Sequence, residues 1–109
     1  MMSYLFVYGT LMPGEENHHY VSSIEGSWHE ATVRGTLFPN GIGKAQGYPA
    51  LILYEKGDLI HGYVLSANEL DKHWQRLDEF EGEAYNRVIT SIELNNNKKV
   101  NAYVYVLAE

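Results

Sequence analysis

One carboxylate in this chain stands where an amphipathic helix would ordinarily place another hydrophobe. In the stretch from Leu70 to Gly82, LDKHWQRLDEFEG, each residue turns by about 100°. Trp74 and Leu77 then each fall within about 40° of Leu70, and Glu81 lands at about 20° from Leu70, inside the apolar stripe. Asp78 and Glu79 point away from it, Glu79 to about 180° on the same count. A glutamate aimed at a core has to be paired, neutralised or used. Gly82 can supply the left-handed residue that ends a helix, which puts Glu81 in the last turn. There the negative end of the helix dipole and partial burial both disfavour ionisation and lift the pKa toward neutrality. That is the setting of a general acid/base. The competing reading is structural: Glu81 swings to solvent from a frayed turn, or pairs with Arg76 or Arg87.

A second stretch could hold an anion. Tyr4 to Tyr8, YLFVY, reads as a central strand that stops at Gly9, and Gly9-Thr10-Leu11-Met12-Pro13-Gly14 follows as a loop. Two glycines and a proline around a small hydroxyl residue let successive N–H groups turn inward as a nest for a carboxylate. The same composition also makes ordinary turns. Metal chemistry finds no support: His18 and His19 are adjacent and face different ways on a helix, and His29, His61 and His73 lack a partner at ligand spacing. With no cysteine, disulfides, thiolate catalysis and cysteine-ligated zinc are excluded.

The elements that must position these groups belong to a small globular chain. At 109 residues it suits one domain, 1–109, and its 45% hydrophobic and 20% charged residues are ordinary for a globular protein. A net charge of -6, with 8 scattered Lys and Arg, argues against nucleic acid as a partner. The chain shows no apolar run of membrane-spanning length, and its start lacks the pattern of a signal peptide. The expectation is a cytoplasmic protein with no membrane partner; oligomeric state is left open. The 9 tyrosines suit cores and clefts alike.

In chain order, Asn17 is placed to cap a short helix through Val21. His29 to Phe38 reads as a strand whose Gly35 implies a bulge or bend, and the breaker-rich loop from Pro39 to Pro49 could wall a pocket. Ala50 to Tyr54 and Leu59 to Leu65 read as an antiparallel hairpin turning at Glu55 to Asp58. Ser66-Ala67-Asn68-Glu69 has the form of a capping box that starts the helix ending at Gly82. Tyr85 to Leu94 and Val100 to Leu107 alternate as strands and make a hairpin around Asn95 to Lys99. About six strands and one principal helix predict an α+β fold, a small, mostly antiparallel mixed β-barrel. An open sheet with the helix on one face is the alternative.

Three motifs in order, Phe6-Val7-Tyr8-Gly9-Thr10-Leu11-Met12, Gly47-Tyr48-Pro49-Ala50, and Leu77-Asp78-Glu79-Phe80-Glu81-Gly82 with Tyr85 and Arg87, carry a family resemblance, joined by the terminal strand Ala102-Tyr103-Val104-Tyr105. Together they resemble the γ-glutamylcyclotransferase-like family, which includes AIG2-like and γ-glutamylamine cyclotransferase proteins. The resemblance covers nearly the whole chain and implies a small β-barrel with flanking helices. It further implies that Glu81 matches the catalytic acid/base, and that Tyr8, Gly9, Thr10 and Leu11 match the loop whose backbone holds the substrate's α-carboxylate. Tyr105 either lines the pocket or packs in the core. The implied reaction converts a γ-glutamyl amine or amide to 5-oxoproline and a free amine, with a small-molecule γ-glutamyl substrate, no cofactor and no metal. Size and motif form place the chain nearer the γ-glutamylamine and AIG2-like branch. A reading from another class is a binding module that captures a small acid or a peptide terminus without turnover. A binder of anions gains nothing from Glu81 beside its anion loop, whereas an acid/base enzyme requires it.

Overall fold

The structure is a computed structural model that describes residues 2–108, apart from the side chain of Lys44. Met1 and Glu109, the ends of the expected domain, lie outside the described residues. Along the chain run β1 (Ser3–Val7), α1 (His19–Ser22), β2 (Ser27–Phe38), β3 (Ala50–Leu53), β4 (Asp58–Ala67), α2 (Trp74–Glu81), β5 (Tyr85–Leu94) and β6 (Lys99–Leu107). β1 is apolar on both faces because both are covered. Leu5 and Val7 face the helices and Phe6 faces the barrel interior, all of them buried.

β1 lies between β4, antiparallel, and β6, parallel. β2 pairs with the far edge of β4, and β5 pairs with β6. The bridge from Ala31 and Thr32 of β2 to Leu94 and Glu93 of β5 completes a closed mixed barrel of five strands, to which β3 adds an extra strand along β2. The expected small barrel, with one parallel pair among antiparallel ones, is the fold that forms. Closure leaves the five barrel strands fewer open edges. Phe6, Val33, Val64, Ile92 and Val104 fill its interior. Outside, Leu5, Val7 and Leu65 pack against Val21, Leu70 and Leu77 of the helical layer. Among the described residues no helix is long and apolar enough to cross a membrane.

Two local expectations give way to tertiary pairing. The segments Ala50 to Tyr54 and Leu59 to Leu65 do not form a hairpin; β3 and β4 flank opposite edges of β2, and Gly35 is paired with both Leu53 and Asp58. The turn between them therefore crosses β2 at Gly35 instead of folding β4 back on β3. A Cβ on Gly35 would lie 2.5 Å from the Ile52 carbonyl oxygen, so the glycine answers a close approach of backbone. Ser66, in turn, caps nothing. It sits in β4 between Tyr4 and Ser27, where two strand ladders claim its backbone and its hydroxyl donates to the Ser27 carbonyl at 3.4 Å. A single 3₁₀ turn, Leu70–Lys72, follows, and the α-helix begins only at Trp74.

α2 is clamped to the sheet by a charged cluster with aromatic walls. The Arg87 guanidinium lies 4.3 Å from the Trp74 ring centroid and 5.7 Å from that of Tyr103, and its Nη1 is 3.6 Å from Asp78 Oδ1. Gly82 ends the helix with φ 78°, and its N–H donates to the Asp78 carbonyl at 2.9 Å. Gly35→Ala tests the crossing: the added methyl group has to displace backbone, and urea unfolding is expected to show a loss of about 1–3 kcal/mol.

Candidate active site

Helix α2 delivers Glu81 to the wall of a cavity of about 360 Å³. Three residues before it, Asp78 belongs to the cluster that pins the helix, and Leu77, fully buried, sets the rotation about the helix axis. The half-buried Glu81 therefore faces inward from a turn with little freedom to swing away. Among the described residues it makes no ion pair. Arg87 engages Asp78, and Arg76 donates to the Tyr20 carbonyl and contacts His73 Nδ1 at 2.8 Å. Burial pushes the Glu81 carboxyl up to about 7.

The loop that follows β1 lines the same cavity. Tyr8, Gly9, Thr10 and Leu11 all line the cavity with Glu81. Met12 N–H closes a turn onto the Gly9 carbonyl at 3.1 Å, while the N–H groups of Gly9, Thr10 and Leu11 serve no turn or loop bond among the described residues. Three such donors at a cavity wall can receive an anion. A Cβ on Gly9 would meet Pro49 at 3.4 Å, an ordinary contact, so a single methyl group fits there and a branched side chain would press on the Pro49 ring.

Phenols complete the lining. The Tyr8 hydroxyl donates to the Tyr105 carbonyl at 2.6 Å and that of Tyr85 to the Pro49 carbonyl at 2.6 Å, which ties the long loop to β5. Tyr105, 4% exposed, both packs in the core and lines the cavity, so its two expected roles coincide. Its hydroxyl donates to Asp78 Oδ1 at 2.7 Å. Asp78 thus does not stand idle on the solvent side of α2 as the helical count implies; a β-strand reaches past the helix edge to meet it. Burial lifts the phenols of Tyr8, Tyr85 and Tyr105, that of Tyr85 to about 12. The negative charge of Glu81 raises all three further, which marks its carboxylate as their neighbour. These phenols stay protonated at neutral pH, where each hydroxyl donates one hydrogen bond and can accept others. Among the described residues that line the cavity and show a shift, Glu81 alone is placed near 7.

Sequence reading did not single out Asn17, Phe80 or Tyr85 as parts of this wall, and it placed Tyr48 and Pro49 there only through the composition of their loop. Asn17 is not a cap: α1 begins at His19 with His18 at its N-cap, and Asn17 Nδ2 donates to Thr10 Oγ1 at 3.0 Å. No local signal announces that contact, because it depends on how the loop curls. Among the described residues no group of three or more His, Asp or Glu side chains converges on a metal position.

A sequence model of the family described as γ-glutamyl cyclotransferase, AIG2-like, matches residues 5–109. The γ-L-glutamyl-butirosin B γ-glutamyl cyclotransferase of Niallia circulans is 38% identical over 82 residues, a match covering 73% of this chain and 46% of that protein. The crystal structure of YkqA from Bacillus subtilis superposes with a TM-score of 0.75 at 29% identity, over 98% of this chain and 36% of that one. An AIG2-like protein from Mus musculus shares the fold, with a TM-score of 0.71 at 24% identity over 98% of this chain and 78% of that one. The chain thus spans less than half the length of the Niallia and Bacillus relatives. With its residues matched almost end to end and its barrel shared with these structures, the chain belongs to the γ-glutamyl cyclotransferase, AIG2-like family.

Proposed function

We propose that this chain is a γ-glutamylcyclotransferase that converts a γ-glutamyl amine or amide to 5-oxoproline and a free amine. The observation that carries the reading is that Glu81, with its carboxyl lifted to about 7 and no ion pair among the described residues, lines one cavity of about 360 Å³ together with the Tyr8 to Leu11 loop. Acid/base group and anion loop address two ends of one small molecule. The substrate's α-carboxylate sits on the loop N–H groups, and its chain folds back so that the α-amino nitrogen reaches the γ-carbonyl carbon. The nucleophile is already tethered, so positioning supplies much of the rate. Glu81, ionised, takes a proton from the α-ammonium; the nitrogen attacks and the new ring C–N bond forms. Glu81 then returns the proton to the departing nitrogen as the old C–N bond breaks, and the second proton, lost by the ring nitrogen as it becomes the lactam N–H, leaves with the free amine as its ammonium form. A carboxyl near 7 populates both of its forms at neutral pH, as the two transfers require. The reaction needs no cofactor.

Release of 5-oxoproline from a panel of γ-glutamyl amines tests the reading. Saturable binding of these compounds without any release would favour the binding module instead. Glu81→Gln keeps shape and removes proton transfer, so kcat is expected to fall by about 10²-fold or more with the circular dichroism spectrum unchanged. Glu79→Gln, on the exposed side, should turn over like the parent chain.

The pH dependence follows from the same shift. The free enzyme must hold Glu81 ionised, so kcat/KM should rise with pH through about 7. For stability the sign is opposite. The folded chain holds this proton more tightly than the unfolded one, so the neutral form's advantage is complete at low pH and disappears as pH rises to about 7. Glu81→Gln should therefore match the parent chain near pH 4 and exceed it by up to about 3 kcal/mol at pH 8, read by urea titration at each pH.

Gly9 provides an independent probe of the loop. Gly9→Ala should be tolerated, whereas Gly9→Val forces its branches against Pro49 and should raise KM by about tenfold or more in a folded protein. An unchanged KM for Gly9→Val would remove the loop from substrate binding.

A further inference from the structure

The segment just before α1 grips the anion loop at three points. Asn17 N–H donates to the Thr10 carbonyl at 3.0 Å, Asn17 Nδ2 donates to Thr10 Oγ1 at 3.0 Å, and His18 Nδ1 meets the Leu11 carbonyl at 2.8 Å. The His18 ring rests against Trp28 with centroids 5.1 Å apart, which holds the grip in place from β2. Two of these contacts shape the backbone. The third acts on a side chain that lines the cavity, and from a residue that lines it too.

A threonine hydroxyl has one hydrogen to give and lone pairs to accept with. An amide NH₂ can only donate. When Asn17 Nδ2 occupies a lone pair of Thr10 Oγ1, the hydroxyl hydrogen is left for another acceptor, and the loop beside it carries N–H groups that serve no turn or loop bond among the described residues. We propose that Asn17 is a positioning residue that sets Thr10 as a donor into the anion site, so that its hydroxyl joins the loop amides in holding the substrate's α-carboxylate. This rests on the proposed function above, in which the loop receives that carboxylate. Asn17 also polarises the hydroxyl in the favourable direction, since an oxygen that accepts a hydrogen bond donates a stronger one.

The role separates from a merely structural one through its dependence on Thr10. The experiment measures the affinity of 5-oxoproline, which carries the carboxylate, and of its carboxamide, which does not, by calorimetry on the folded full chain. Thr10→Val and Asn17→Ala are each expected to weaken 5-oxoproline by about tenfold, the scale of one hydrogen bond to a charged group. The double variant should be no weaker than Thr10→Val alone, because Asn17 acts through the hydroxyl that Thr10→Val removes. Thr10→Ser should restore affinity, and with it the sensitivity to Asn17. Asn17→Asp keeps the shape but presents only acceptors, so it should draw the Thr10 hydrogen away and weaken binding further than Asn17→Ala. With a γ-glutamyl amine that the parent chain turns over, Asn17→Ala should raise KM while leaving kcat nearly unchanged. Additive losses in the double variant, or full affinity in Asn17→Asp, would overturn the proposal and leave the anion loop standing. Equal affinity of the parent chain for 5-oxoproline and its carboxamide, or none for either, would overturn the anion loop itself and this inference with it.

Discussion

The double burial of β1 is the constraint on which the rest depends. Phe6 on one face needs the barrel interior, while Leu5 and Val7 on the other need the helical layer, so the strand has to be central to the sheet and covered from outside. Its parallel pairing with β6 brings the C-terminal ends of both strands to the same end of the barrel. Tyr8 and Tyr105 meet there, the hydroxyl of one on the carbonyl of the other. The loop after β1 therefore starts at a rigid point, and the cavity opens where two strand ends and the end of α2 converge. A fully antiparallel sheet with β1 at an edge would supply neither the shared end nor the cover.

The electrostatics of that end follow from where the cations are held. Arg87 could have neutralised a carboxylate on either side of the α2 terminus, and Asp78 receives it, between the Trp74 and Tyr103 rings. Glu81, three residues on, is left with tyrosine hydroxyls that donate elsewhere. Desolvation then acts on it with no ion pair among the described residues to offset it, which is why its proton is held to about pH 7 while the fold tolerates the cost. In the proposed function that cost is the source of the activity, an instance of stability given up at a working site.

Much of this could be read along the chain. The strand from Tyr4, the terminal hairpin, the helix ending at Gly82 and the outlying carboxylate on its apolar stripe are all periodic or local signals, and periodicity survives folding because it is what lets an element bury one face. Readings that depended on which element meets which fared differently. Ser66 and Glu69 have the residues of a capping box, but two neighbouring strands hold Ser66 in their ladders, and several backbone bonds outweigh one cap. Ala50 to Leu65 has the look of a hairpin, yet β2 is long enough to pair with both halves and separates them at Gly35. Asp78 lies off the stripe by count, and a strand residue of β6 finds it all the same.

The sequence by itself determined the principal element types, an α+β class, and a glutamate that a core could not accept without reason, since these follow from side-chain chemistry and spacing within a few turns or strands. Only the tertiary structure decided that the glutamate makes no ion pair among the described residues, that the loop after β1 lines the same cavity, and that Asn17 reaches Thr10 instead of capping a helix. Those outcomes depend on contacts between residues distant along the chain, such as Tyr8 with Tyr105 or Pro49 with Tyr85, which closure of the barrel creates. Local spacing carries no information about them, because a charge or a hydroxyl finds its partner in space only after the strands have chosen theirs.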